Sequence, residues 1–130
     1  MVPGTLTSGQ IISLAATPMV LIISGMLIAS SGVPGKKAAL IMGGLIALTG
    51  VSFRILFGLV LTEYVNPEHM TSIPQQYPEM FSLFNFFVGA YCFHAGAERA
   101  KKKEVDAIAL YAISLLHAVM AIQLLGLLNF

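Results

Sequence analysis

Few residues in this chain combine a side chain capable of chemistry with a place that could shelter it. His94 and His117 lie inside apolar stretches, as do Arg54, Asn85, Gln123 and Thr17. Paired histidines on facing helices can ligate haem iron. However, His94 lies three residues from the end of its apolar segment, and His117 ten residues into the next. At about 1.5 Å of helical rise per residue, that offset is on the order of 10 Å, too far for two ligands on one iron. No cofactor is therefore expected. His94 reads as an interfacial residue one turn before Glu98, and His117 as a hydrogen-bonded core residue. Cys92 and His94 are two apart, so on a helix they point to different sides and cannot share a metal. Cys92 is the single cysteine and reads as a small apolar packing residue. No serine, histidine and acid fall at one depth, and no lysine follows Gly43-Gly44 at phosphate-loop spacing. The chain offers no catalytic set and does not read as an enzyme.

Arg54 is the one basic residue outside two short clusters. On the segment limits given below it sits roughly 12 Å beneath the outer membrane surface. An arginine at the centre of a span costs about 2.5 to 3.5 kcal/mol on insertion scales, so partners are expected. Asn85 and Gln123 fall at comparable depth on other segments. Thr17-Pro18 adds a hydroxyl and, because proline has no N–H, a free Leu14 carbonyl. These residues form the expected intramembrane polar cluster. Either it holds the helices in register or it presents Arg54 to an anion or a partner helix. Glu63 and Glu79 are the nearest available counter-charges.

The elements that position these groups follow from composition. Hydrophobic residues make up 57 % of the 130 residues and charged ones 10 %, far from the make-up of a water-soluble domain. No basic face exists, so nucleic acid is not an expected partner. Four segments approach the roughly 20 apolar residues needed to cross a bilayer. They run Gln10–Ser30, Ala38–Thr62, Phe81–Ala97 and Ala107–Asn129. Each must be helical, since unpaired backbone is not tolerated in hydrocarbon. Ser31-Gly32-Val33-Pro34-Gly35 marks a turn between the first two. Pro67, Pro74 and Pro78 predict a shaped loop between the second and third, flanked by Tyr64 and Tyr77.

Six of the seven basic residues fall in the two short connections, as Lys36 and Lys37, then Arg99, Lys101, Lys102 and Lys103. The long connection has none and carries acids instead. Short Lys/Arg-bearing loops stay on the cytoplasmic side. The expected fold is all-α: an integral membrane antiparallel four-helix bundle, residues 1–130 as one membrane domain, both termini on the outer, non-cytoplasmic side. A bacterial inner membrane is the expected location, an organellar membrane the alternative.

Ala39, Gly43, Ala47 and Gly50 form a stripe of small residues on the second helix, and Gly89 and Gly96 a similar line on the third. Such stripes let backbones approach closely, and the two faces are expected to meet. Phe84, Phe87 and Tyr91 on the opposite side of the third helix suit lipid or another subunit. The functional expectation is a non-catalytic protein that binds other membrane proteins. It would be an accessory subunit of a larger complex or a small protective, blocking protein; a small homo-oligomeric transporter or channel is the alternative. Apart from the bilayer and such subunits, no partner is implied.

The loop asymmetry carries a direct test. In intact cells, a cysteine replacing Lys102 is expected to escape an impermeant thiol reagent, while one replacing Ser72 is labelled. The reverse pattern would invert every depth assigned above.

Overall fold

Thr7 starts the first helix with a reciprocal cap: its hydroxyl accepts from Gln10 N, and its own N–H donates to Gln10 Oε1. Helix α1 then runs Ser8–Ser31 and stops at Gly32, whose left-handed backbone (φ 69°) closes the carboxyl end. Helix α2, Lys36–Glu63, follows the Pro34-Gly35 turn; α3 is Gln76–Lys101 and α4 Asp106–Leu124. The structure, a computed structural model, describes residues 7–63 and 76–127, with side chains from Thr7 to Ile55 and from Pro78 to Leu127. The expected loop around Pro67 and Pro74, with Tyr64, lies outside the described residues. Pro78 belongs to the first turn of α3 rather than to that loop. A proline is tolerated there because the first N–H groups of a helix have no intrahelical acceptor.

All four helices are long and apolar enough to cross a membrane. Helices α1 and α2 pack along their lengths, as do α3 and α4, and α1 also packs on both α3 and α4. The core lies between α1, α3 and α4, where Leu21, Ile28, Cys92, Ala95 and Leu110 are fully buried. The buried positions of α1 include a line through Gln10, Leu14, Thr17, Leu21, Ser24, Ile28 and Ser31, alternating by four and three. This is the 3.5-residue seam of a helix in coiled-coil-like packing. Every seventh residue of that seam, Gln10, Thr17, Ser24 and Ser31, is polar.

Helix α2 lies at the edge of this core and adds only Ile46 to its buried cluster, with Phe53 packed against it. Its small-residue stripe packs on α1, not on α3, which changes the expected pairing. A Cβ on Gly43 would collide with the Gly25 carbonyl and lie 2.6 Å from Ala29 N, and one on Gly50 would lie 2.7 Å from the Pro18 carbonyl. Ala47 meets Gly25 in the same contact. The third-helix line turns instead toward α4, with Gly89 against His117 and Gly96 against Leu110 and Tyr111. Bulk explains the difference: α2 and α3 touch through large rings, Phe53 stacking on Phe81 at 4.7 Å and edge-on to Phe84. Phe84 and Tyr91 are accordingly half-buried, and the exposed rings of α3 are Phe86, Phe87 and Phe93.

Gly43 and Gly44 make a matched test. Gly43→Ala is expected to destabilise the protein by about 1–3 kcal/mol, because its methyl meets backbone that cannot move aside. At Gly44 nothing lies within 4 Å of an added Cβ. Gly44→Ala should therefore be neutral, or stabilising by up to about 1 kcal/mol through helix propensity. Detergent-titrated unfolding followed by circular dichroism compares the two; equal effects would show that the α1–α2 contact is not close-packed.

Candidate functional site

Asn85, on the second turn of α3 beyond Pro78, is fully buried where α1, α3 and α4 meet. Its Nδ2 donates to Thr17 Oγ1 on α1 at 3.1 Å and to the Phe81 carbonyl one turn back at 2.8 Å. Thr17 can accept because its own proton goes to the Ser13 carbonyl at 2.6 Å. The Ser13 carbonyl, rather than that of Leu14, is the acceptor that this turn of α1 contributes. Both amide protons of Asn85 are thus committed, and its Oδ1 faces His117 Nδ1 at 2.7 Å. An oxygen there can only accept, so His117 Nδ1 carries a proton and donates it.

Nε2 of His117 lies 2.6 Å from Ser24 Oγ. In the neutral ring Nε2 is an acceptor, and the Ser24 hydroxyl donates to it. The alternative acceptor for that hydroxyl, the Val20 carbonyl, is 2.7 Å away. The one hydroxyl proton thus has two acceptors within reach, and Nε2 is satisfied only when that proton points at the ring.

The network continues along α1 toward its N-terminus. Ser13 Oγ donates to Gln123 Oε1 at 2.5 Å, and Gln10 Nε2 donates to the Leu124 carbonyl at 3.0 Å. Ser82 on α3 donates to the Ala121 carbonyl at 2.7 Å. Gln10, Ser13, Thr17, Ser24, Ser82, Asn85, His117 and Gln123 are all buried. Among the described residues, no buried side-chain nitrogen or oxygen lacks a partner.

Of the four residues expected to cluster, Thr17 and Asn85 are bonded directly, and Gln123 joins them through Ser13. Arg54 does not. It is exposed on α2, one turn past Gly50. The reason is geometric: α2 packs on Pro18, Ile22, Gly25 and Ala29, a face of α1 about a third of a turn away from the polar seam. A side chain on that side of α2 cannot reach the axis shared by α1, α3 and α4. Ser13, Ser24, Ser82 and Gln10 were not singled out by residue type alone. A signal for three members of the α1 seam was present, since Gln10, Thr17 and Ser24 recur every seven residues within an apolar segment.

His94 is exposed on α3, while both nitrogens of His117 are engaged in hydrogen bonds. As folded, the two histidines do not face one site. Among the described residues, no group of three or more His, Cys, Asp or Glu side chains is placed to hold a metal ion. Comparison with protein-family models, curated proteins and solved structures found no match.

The asymmetry of the Asn85 contacts is measurable. Asn85→Leu strips partners from both Thr17 and His117 Nδ1 and is expected to cost about 1–3 kcal/mol. Thr17→Val removes a single interhelical bond and leaves one Asn85 N–H unpaired while the other stays bonded to Phe81, and should cost about 1 kcal/mol, less than Asn85→Leu. Unfolding in mixed micelles ranks the two variants, and a Thr17→Val effect as large as that of Asn85→Leu would place the junction elsewhere.

Proposed function

We propose that this chain is a non-catalytic multi-pass membrane protein that binds other membrane proteins, as an accessory subunit or as a small protective, blocking protein. In this reading it is an antiparallel four-helix membrane bundle with both termini on the outer side. The observation that carries it is Arg54. It lies within the apolar part of α2, is exposed, and makes no hydrogen bond or ion pair with any described residue. Helix α2 continues nine residues beyond it, about 13 Å at 1.5 Å per residue. A lipid-facing arginine at that depth is costly, whereas an acidic or carbonyl-rich face on a neighbouring protein would satisfy it.

The surroundings suit a partner helix. Leu40, Leu48, Val51 and Ile55 expose apolar surface on α2, and Gly44 leaves an open notch among them. Small residues at such a face permit close helix approach. The buried polar network weighs against the transport alternative. It is packed side chain to side chain without an unsatisfied group, and beyond Ser24 the seam is closed by Ile28, Cys92 and Ala95. A permeation path would need polar groups that the solute can displace.

Gentle extraction from native membranes and mass measurement of the intact complex provide the test. Wild type is expected as a hetero-complex; Arg54→Gln should release the free chain, and Arg54→Lys should retain part of the complex. A homo-oligomer unaffected by these changes would instead support transport. A monomer whose behaviour is unchanged by Arg54→Ala would remove Arg54 from any binding role.

A further inference from the structure

The two short connections lie at the same end of the molecule, and a cleft of about 380 Å³ opens between them. Three cationic side chains from separate segments line it: Lys36 at the start of α2, Arg99 near the end of α3, and Lys102 in the turn that follows. We propose that this cleft binds the phosphate of an anionic phospholipid.

The three cations are not equivalent. Arg99 is anchored: its Nε lies 3.1 Å from both Asp106 carboxylate oxygens, and its guanidinium is 3.7 Å from Glu104. It tethers the ends of α3 and α4 and forms the fixed wall of the cleft. Lys36 and Lys102, like Lys37 and Lys103, form no ion pair with any described residue, although the charge of Lys102 is felt by Glu98; what sets Lys36 and Lys102 apart is that they line the cleft. Two ammonium groups without an ion-pair partner, beside a guanidinium held in place by its own acids, suit an anion with several acceptor oxygens, which a phosphate supplies. The first turn of α2, which opens at this cleft, carries no acid to offset its N-terminal dipole.

The remaining lining selects a lipid over a free anion. Ser30, Ser31 and Gly32 line the mouth of the cleft beside the cations, and Ala29 and Leu40 supply its apolar wall, Leu40 being 61 % exposed. Both sit on helices apolar enough to lie in a bilayer, one turn in from the basic end. An acyl chain descending from a headgroup at Lys36 would run along that apolar wall. Basic pockets between helices at this interface are suited to anionic headgroups.

Lys37 and Lys103 lie in the same two connections and outside the cleft, so they provide a charge-matched control. The experiment titrates the purified full chain in micelles with phosphatidylglycerol or phosphatidylcholine and counts bound lipid by native mass spectrometry. Phosphatidylglycerol is expected to bind about tenfold tighter than phosphatidylcholine. Lys36→Ala/Lys102→Ala should abolish that preference, and Lys36→Gln/Lys102→Gln, which keeps much of the stem, should do the same. Lys37→Ala/Lys103→Ala should change it less than about twofold. Equal losses in the cleft and control pairs would show diffuse attraction and overturn the site. Absence of a phosphatidylglycerol preference would also overturn it. Displacement of the lipid by an equal concentration of inorganic phosphate would identify a small anion as the ligand and refute the lipid assignment.

Discussion

Asn85 joins three helices through one carboxamide, and the arrangement of the core follows from its need for partners. In hydrocarbon an unpaired amide has no water to turn to, so its desolvation is uncompensated unless protein groups supply every bond. The Phe81 carbonyl and Thr17 take its protons, and His117 gives one to its oxygen. Each partner is in turn oriented by another group: Thr17 by the Ser13 carbonyl, His117 by Ser24. Rotation or sliding of α1 by one residue would break several of these bonds together. Individually such bonds contribute only about 0.6 kcal/mol in membranes. Their value lies in excluding other registers, because a slipped arrangement leaves polar groups buried and unpaired.

Helix α2 is held by a different principle. It contributes no member to the polar network and instead brings its backbone against that of α1 at Gly25, Gly43 and Gly50. Lipid is as apolar as the side chains, so little hydrophobic force drives this contact; close van der Waals packing does. The outer face of α2 is left almost wholly exposed, with Arg54 and the apolar residues around Gly44 on it. The molecule thus consists of a polar-locked core of three helices and a fourth laid on its flank.

That division bears on function. Among the described residues, every buried polar side-chain atom has a hydrogen-bond partner. Basic side chains without an ion pair among the described residues are on the surface: Arg54 on the flank of α2, Lys36 and Lys102 at the cleft between the hairpins, and Lys37 and Lys103 beside it. These exposed cations are the features on which the proposed binding role rests.

Four apolar helical segments were legible in the sequence because length and hydropathy suffice to identify them. The turn at Gly32 and the small-residue stripe of α2 were legible for similarly local reasons. Polar residues at Thr17, Asn85 and Gln123 could be singled out because polarity inside an apolar segment is costly wherever it falls. What the sequence could not determine was which faces meet. Depth along a helix is readable from residue counting, but azimuth relative to neighbours depends on every contact at once. Arg54 shares an approximate depth with Asn85 yet lies on a helix that never borders their common axis, because glycine-to-glycine packing draws α2 to a different side of α1. His117 likewise matched a haem ligand by type, and only the tertiary arrangement showed both its nitrogens engaged, one by Asn85 and one by Ser24. Composition determined the solvent in which this chain can fold; the pairing of helix faces decided which of its polar groups lock the fold and which remain for a partner.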